Sequence, residues 1–238
     1  MAKQSNENPL TFYPADASRW SDIEELFGER GACGGCWCMF WRVSRKQFEQ
    51  NKGAGNKRAF KRIVMQSSRS KGGTQHSSSK SGTKGSLSKE GKRHEPGVIA
   101  YHGKEPIGWC AIAPREEYVA LERSRILKPV DDKPVWSISC LFIKKPYRRK
   151  GVSSLLLRAA VDFAASRGAS VVEGYPVKPS MEKMPDPFLW PGVPSAFRAA
   201  GFKEVLRRSA SRPIMRIEIE RSKGGTLSKA IKKPPTKI

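Results

Sequence analysis

The sequence has few acidic residues, few histidines and no long apolar segment. Its 238 residues include 22 Asp and Glu against 45 Lys and Arg, and only three His. No apolar run approaches the about 20 residues that a membrane-spanning helix needs. Residues 1–8 also lack the hydrophobic region of a secretory signal. These absences argue against an integral membrane protein and predict a soluble protein of the cytoplasm without membrane association.

Cysteine is also scarce, and its spacing does not fit a metal site. Cys33, Cys36 and Cys38 form one group, whereas Cys110 and Cys140 stand far away in the chain. A structural zinc site needs four ligands, and neither the remaining cysteines nor the histidines supply a paired second half. We therefore expect no metal. Reduced, packed thiols are the favoured interpretation of the group, and a redox pair stays open.

The excess positive charge is spread along the whole chain. Residues 66–95 carry seven Lys or Arg and two Glu, a net +5, and residues 221–238 carry six Lys or Arg and no acidic residue, a net +6. The total is +23, so +12 remains on the rest of the chain. Such a field attracts anions, which include the phosphates of CoA, nucleic acid and acidic surfaces.

Two segments are too polar to form a core. Residues 66–95 are rich in Ser, Lys and Gly, with Leu87 as their only large aliphatic residue, so burial cannot offset the entropy of ordering them. We predict a disordered basic insertion at 66–95, a disordered basic tail at 221–238, and a single domain formed by 1–65 plus 96–220. A solvated linker and tail are the simplest interpretation, and weak, non-specific nucleic-acid contact is the alternative.

The rest of the sequence alternates between strand and helix patterns. A strand, a helix, a longer helical region and a hairpin are predicted at 10–13, 17–30, 44–65 and 98–112. Beyond residue 169, a strand, a short helix and two further strands are predicted at 170–175, 195–200, 205–209 and 214–219. Helices between central strands and hairpins at the flanks predict a mixed sheet in an α/β (α+β) fold.

Residues 135–154 read as a buried strand, a basic turn and the start of a helix. Pro146 ends an apolar run, and Arg148, Arg149 and Lys150 follow it. Helical spacing then places Val152, Leu156, Ala159 and Phe163 on one face, and Ser154, Arg158, Asp162 and Ser166 on the other. Gly151 thus stands at the helix entrance, where unpaired N–H groups and the helix dipole favour an anion. The segment predicts a pyrophosphate cradle.

The cradle and two other segments resemble the GNAT superfamily of acyl-CoA-dependent N-acetyltransferases. The superfamily's signature is Arg or Gln, two variable residues, Gly, one variable residue, then Gly or Ala. Arg148 and Gly151 match it, Ser153 replaces its last small residue, and residues 200–202 read Ala-Gly-Phe. Residues 34–42, GGCWCMFWR, are similar to a segment near the acceptor entrance in a bacterial subgroup. The resemblance implies a mixed, mostly antiparallel twisted sheet flanked by helices.

The resemblance also implies acetyl-CoA as co-substrate and assigns roles to residues of this chain. The implied cofactor-binding residues are Leu141, Phe142, Ile143, Arg148, Arg149, Lys150, Gly151, Val152, Ser153 and Ser154. The first three belong to the strand whose N–H groups would polarise the thioester. Glu173 is the candidate base, with an ordinary ion-paired carboxylate as the alternative. Phe197 stands where many GNAT enzymes carry a proton-donating Tyr, so that role is empty, unneeded, or taken by another group such as Tyr175, the candidate acid.

The expected reaction is direct transfer of the acetyl group to a primary amine, on either a small molecule or a protein. The proline-rich stretch 176–194 lines the acceptor pocket or packs as a surface loop, and both interpretations stay open. The alternative function is a non-catalytic module on the same fold, which binds acyl-CoA or nucleic acid without turnover. A dimer is also left open.

Overall fold

One seven-stranded sheet organises the molecule, with the strand order β1-β2-β3-β4-β5-β7-β6. A computed structural model describes residues 9–69, 94–179 and 189–220. The strands are β1 (Leu10–Pro14), β2 (Gly97–His102), β3 (Glu105–Pro114), β4 (Trp136–Ile143), β5 (Val171–Gly174), β6 (Lys203–Arg207) and β7 (Pro213–Glu218). Of these strands, β4 and β5 pair in parallel, and the other neighbours pair antiparallel. The predicted fold class is confirmed.

Helices cover both faces of the sheet. They are α1 (Trp20–Phe27), α2 (Arg45–Gln50), α3 (Ala54–Arg69), α4 (Val119–Glu122), α5 (Val152–Ser166) and α6 (Pro194–Ala199). Within the described parts of the chain, none of them combines the length and the apolar character needed to cross a membrane.

Two predicted helix boundaries were wrong, and glycines explain both. The first predicted helix ends three residues early, at Phe27, because Gly28 takes a positive φ of 61°. The long helical region is two helices, since the chain turns at Gly53, with φ 81°, before α3 begins. Glycine adopts this left-handed conformation without the steric penalty that other residues incur.

α5 covers one face of the sheet with a broad apolar stripe. Val152, Leu156 and Phe163 are buried, as predicted. The stripe also includes Leu157, Ala160, Val161 and Ala164. Ala159 is only partly buried, because it lies at the edge of this stripe rather than on its centre. Each large aliphatic side chain buried in this way contributes roughly 1.5–3 kcal/mol, which fixes the helix that follows the basic turn.

Aromatic side chains fill the layer on the opposite face. Phe27 of α1 contacts Trp37, Phe60 and Trp109 at centroid distances of 5.6, 6.2 and 5.8 Å. Trp37 belongs to the GGCWCMFWR segment, so this segment is part of the packed layer and not a free loop. The indole N–H of Trp109 donates to Cys38 Sγ at 2.9 Å.

β4 and β5 separate at the middle of the sheet. Their pairing ends with Ile138 opposite Gly174, although β4 continues to Ile143. On its other side β4 carries a bulge, because the register with β3 skips Ser139. A bulge bends its strand and locally increases the twist, so β4 leans away from β5. The two strands are therefore splayed beyond Ile138.

The ends of the predicted insertion belong to the fold. α3 runs to Arg69, and Ser67 within it is buried. Glu95 is 1 % exposed and accepts two hydrogen bonds from Arg167 Nη2, at 2.9 and 3.1 Å. Residues 70–93, like the predicted tail 221–238, lie outside the described residues.

These contacts predict where the insertion can be replaced. A Gly/Ser linker of equal length at 70–93 should leave the melting temperature nearly unchanged. The same replacement at 66–95 should lower it by several degrees, because it removes the last turn of α3 and leaves Arg167 without Glu95. Thermal unfolding followed by circular dichroism measures both variants. Equal melting temperatures would contradict the anchoring role of the two ends.

Candidate active site

The turn between β4 and α5 has two residues in the left-handed region. Arg149 has φ 59°, and Gly151 has φ 76° and ψ −3° as the N-cap of α5. Positive φ is uncommon for a residue other than glycine. A Cβ built on Gly151 would meet no atom within 4 Å, so the space over the helix entrance is open. The strand, turn and helix predicted for residues 135–154 are therefore present.

The first amides of α5 have no partner within the helix and face this space. Gly151 has no side chain to cap the helix, and the Ser154 hydroxyl donates to the Gly151 carbonyl at 2.8 Å. The amides of Val152 and Ser153 precede the first hydrogen bond within the helix, which Ser154 N–H makes to Gly151. Together with the positive end of the helix dipole, they form a site for an anion such as a phosphate.

Two basic side chains support the turn. Arg148 Nε donates to the Ile143 carbonyl at 2.8 Å and so fastens the turn to the end of β4. Lys150 Nζ lies 5.9 Å from the centroid of the Tyr147 ring, at cation–π distance. Both side chains therefore place positive charge beside the helix entrance while they hold the turn in shape.

A cleft of about 290 Å³ connects the turn with β4. Six of the ten predicted cofactor-binding residues line it, namely Leu141, Phe142, Ile143, Arg148, Arg149 and Ser153. The other four, Lys150, Gly151, Val152 and Ser154, lie in the turn and the first turn of α5. The opposite wall comes from Ala32 and Cys33 on one side and from residues 189–196 on the other. The cleft thus joins an anion site to an apolar channel along the strand.

The amide predicted to polarise a thioester already has a partner. Leu141 N–H donates to the Trp190 carbonyl at 2.7 Å. Lys144 N–H donates to Ile107 of β3, so by the alternation of an antiparallel ladder the amides of Leu141 and Ile143 both point away from β3. The Leu141 amide therefore points away from β3 and towards the segment around Trp190, which lies along β4.

Phe197 of α6 fills the wedge where β4 and β5 part. Its side chain is fully buried and packs edge-on against Phe202 at 5.0 Å. A Cβ on Gly174 would approach the ring to 2.0 Å, and one on Gly192 to 2.8 Å. Glycine is thus required at both positions for the ring to fit. No hydroxyl enters the wedge from this position.

Glu173 and Tyr175 belong to a buried network on the face of the sheet opposite α5. The Tyr175 hydroxyl donates to Glu173 Oε2 at 2.7 Å, and Arg216 Nε donates to Glu173 Oε1 at 2.6 Å. Arg115 Nη1 donates to the Tyr175 oxygen at 2.7 Å, and Ser137 Oγ lies 2.8 Å from it. The ion pair considered as the alternative for Glu173 is therefore present.

The network sets the protonation of its members. Burial, and then the neighbouring Glu173 carboxylate, raise the pKa of Tyr175, so its hydroxyl keeps its proton. Hydrogen bonds from Arg216 lower the pKa of Asp131 to about 2. Neither Glu173 nor Tyr175 lines the cleft, and Glu173 instead borders a second cavity of about 270 Å³.

Sequence reasoning missed the partners of this network. Arg216 stands directly opposite Glu173 in the β5–β7 pairing, so a register argument could have found it. Ser137 is likewise the register partner of Glu173 on β4. Arg115 carried no comparable signal, because it follows β3 in a short 3₁₀ turn and reaches Tyr175 across the fold.

The cysteines are divided between the cleft and the interior. Cys33 lines the cleft and is exposed, whereas Cys38 and Cys110 are buried. The pKa of Cys140 is well above its usual range, first because of its hydrogen bond with Cys38 and then because of burial. Cys140 is thus a protonated thiol and a poor nucleophile. Among the described residues, no three His, Cys, Asp or Glu are grouped to hold a metal ion.

Aromatic residues connect the GGCWCMFWR segment to the cleft. Phe40 and Trp41 contact Trp190 at centroid distances of 5.5 and 6.0 Å. Trp190 lines the cleft, and its carbonyl bonds Leu141. Residues 180–188 of the proline-rich stretch, the middle of the predicted acceptor-pocket segment, lie outside the described residues.

The geometry predicts a specific effect of changing Gly151. Gly151→Val should abolish stabilisation of the protein by acetyl-CoA, because a β-branched residue strains the left-handed turn and intrudes on the anion site. Gly168→Val is a matched control, since Gly168 also has a positive φ, 93°, and open space around its Cβ, at the far end of α5.

Thermal shift with acetyl-CoA measures both variants. Each should lose about 1–2 kcal/mol of stability from backbone strain, but only the Gly151 variant should lose the acetyl-CoA shift. Equal shifts in both variants would contradict the assignment of the cradle.

A comparison with known families finds a match that includes this turn. Residues 66–179 match the model of the Acetyltransferase (GNAT) family. No curated protein matches the chain. The residues matched include the cradle, with the strand before it and the helix after it.

Several solved structures are similar to the chain at low identity. PaiA N-acetyltransferase from Thermoplasma acidophilum, in complex with coenzyme A, is 14% identical with a TM-score of 0.46, over 89% of this chain and 99% of that chain. A GNAT-family acetyltransferase from Listeria monocytogenes is 6% identical with a TM-score of 0.48, over 88% and 95%. The GNAT domain of S. lividans PAT is 12% identical with a TM-score of 0.41, over 87% and 89%. The match to the GNAT acetyltransferase family is thus a sequence match of residues 66–179.

Proposed function

We propose that the protein is an N-acetyltransferase, which moves the acetyl group of acetyl-CoA directly to a primary amine. The observation that carries this proposal is the single cleft that joins the anion site at α5 to the splayed end of β4. Acetyl-CoA has the same two parts, a pyrophosphate and an apolar arm that ends in a thioester. The family match of residues 66–179 agrees with this reading.

The cleft residues suit the two ends of acetyl-CoA in different ways. The pyrophosphate would accept hydrogen bonds from the amides of Val152 and Ser153, with Arg149 beside them. The pantetheine arm would lie along β4, next to Ile143. Leu141 N–H would then exchange the Trp190 carbonyl for the thioester oxygen, and it would stabilise the charge that builds there.

Proton removal falls to the network on the opposite face of β4. The amine nitrogen attacks the thioester carbon, the C–S bond breaks, and the sulfur leaves as thiolate. Glu173 takes the amine proton through the hydroxyls of Ser137 and Tyr175, which already form a chain of 2.8 and 2.7 Å contacts to its carboxylate. Tyr175 can return a proton to the thiolate, since Phe197 has no hydroxyl to offer.

Other features of the function remain predictions of the sequence. They are the bacterial subgroup suggested by GGCWCMFWR, the cytoplasmic location, a dimer, and weak nucleic-acid contact through the basic segments. The acceptor can be a small molecule or a protein amine, because acceptor pockets are formed by loops that differ between proteins of one fold.

Tyr175→Phe tests the relay. This variant should lower kcat on the order of 10²-fold, at the low end of what general acid–base catalysis contributes. The matched control is Tyr101→Phe, which removes an equivalent bond, 2.6 Å from the Tyr101 hydroxyl to the Asp22 carboxylate, away from the cleft. CoA-thiol release across a panel of amines measures the rates.

The pH dependence separates catalysis from structure. If Glu173 and Tyr175 move the amine proton, the loss of kcat in Glu173→Gln and Tyr175→Phe should shrink as the pH rises towards the pKa of an alkyl amine, about 10. Near that pH the free amine forms without help from the protein. A defect that is constant with pH would assign both residues a structural role. Stabilisation by acetyl-CoA without turnover of any amine would instead favour the non-catalytic acyl-CoA-binding module.

A further inference from the structure

We infer that the acceptor amine carries a carboxylate and that Arg42 binds it. This inference rests on the proposed N-acetyltransferase function and names the class of its acceptor, an amino acid. The Arg42 side chain is 5% exposed, and its Nη1 donates to Glu117 Oε2 at 2.6 Å. Its Nε and Nη2 are buried, and neither has a hydrogen-bond partner among the residues that the structure describes.

The two unpaired atoms lie on one edge of the guanidinium. Nε–H and the adjacent Nη2–H are parallel donors, and this fork matches the two oxygens of a carboxylate. Glu117 occupies the Nη1 end, so the fork edge stays unused. Buried donors in native proteins are nearly always paired, and an unpaired set indicates a bound water, an ion or a ligand group.

Arg42 lies beside the strand where the chemistry is proposed. Its guanidinium carbon stands 4.8 Å from the centroid of the Tyr118 ring. The Tyr118 hydroxyl lies beside Ser139, which forms the β4 bulge two positions before Leu141. By strand alternation, Ser139 points to the same face of β4 as Ser137, the first hydroxyl of the proposed relay. Arg42 and the relay therefore flank one short stretch of β4.

This arrangement suits a molecule with a carboxylate and a nearby amine. The carboxylate would bind the Arg42 fork, and the amine would face the relay that begins at Ser137. Trp190, whose carbonyl must leave Leu141 in the proposed reaction, packs on Trp41, the residue before Arg42. Movement of Trp190 would thus have two effects at once. It would remove the packing on Trp41 next to the Arg42 guanidinium, and it would expose the Leu141 amide.

The competing acceptor is a cation without a carboxylate. The second cavity is bordered by Glu116, Glu122, Asp131, Asp132 and Glu173, and this set favours a polyamine. Most of these carboxylates are already paired, however, since Glu122 accepts from Arg115, and Asp131 and Glu173 accept from Arg216. The unused donors of Arg42 are the stronger observation, and the polyamine becomes an outcome of the test.

The experiment compares acceptors that differ only in the carboxylate. Phenylalanine with phenethylamine, and leucine with isoamylamine, are assayed by CoA-thiol release, with spermidine as the polyamine. We expect kcat/KM at least 10-fold higher for the amino acids. The wild-type protein should not prefer the methyl esters of these amino acids over the decarboxylated amines, because the esters lack the carboxylate. This measurement uses no variant, so it does not depend on whether a variant folds.

Variants then assign the preference to Arg42. Arg42→Gln and Arg42→Lys should reduce the ratio between amino acid and decarboxylated amine to about one, mainly through KM, because lysine keeps the charge but not the fork. Arg45→Gln is the matched control, since Arg45 is 78% exposed and pairs with Glu49 at 3.0 Å on the surface of α2. Its ratio should match that of the wild type.

A binding measurement distinguishes the carboxylate-site proposal from the N-acetyltransferase proposal. Phenylalanine should raise the melting temperature of the acetyl-CoA complex, and phenethylamine should not, whether or not turnover follows. One outcome is that no amine releases CoA thiol, while phenylalanine still shifts the melting temperature of the wild type but not that of Arg42→Gln. This outcome would overturn the transferase proposal and support the carboxylate site. The other outcome is that phenylalanine gives no shift, and that the protein acetylates spermidine, or acetylates amino acids and decarboxylated amines with equal kcat/KM. This outcome would overturn the carboxylate site and leave the transferase proposal in place.

Discussion

The separation of β4 from β5 is the constraint on which the rest of the structure depends. Two parallel strands that stayed paired to their ends would satisfy each other's backbone groups and leave no room for a substrate. The bulge at Ser139 bends β4 away, and the pairing stops at Ile138 and Gly174. Every backbone donor beyond that point on the exposed edge of β4 must find a partner elsewhere, and Leu141 finds it in Trp190.

The separation also divides the chemistry between the two faces of the sheet. On the α5 side, the ring of Phe197 and the apolar stripe of the helix form a dry layer, and the anion site lies at the helix entrance. On the opposite side, Arg115, Glu173 and Arg216 are buried together, so each charge has a partner within the network. A buried network of this kind is stable only when its members are satisfied. The one edge of Arg42 that lacks a partner among the described residues is therefore conspicuous beside it.

The cradle could be predicted from sequence because its determinants are local. All of its signals lie within twenty residues of chain, and each indicates a specific local structure. They are a glycine at a helix entrance, basic residues before it, and apolar residues at helical spacing after it. The partners of Glu173 and Leu141 could not be predicted in this way. Arg216 and Trp190 are distant in the chain, and they reach these residues only through strand register and through a loop that runs along β4.

The phenyl ring of Phe197 has a consequence for where the proton chemistry can occur. A tyrosine at this position would point its hydroxyl into the wedge, but the wedge is closed by Gly174 and Gly192 around an apolar ring. In the proposed reaction a proton donor would come from the other face of β4, where the Tyr175 hydroxyl is held protonated by burial and by Glu173. The proposed acid, the proposed base and the Arg42 edge that lacks a partner among the described residues thus fall on one side of a single strand. The proposed anion site lies on the other side, so the splay of β4 is where the two proposed substrates would meet.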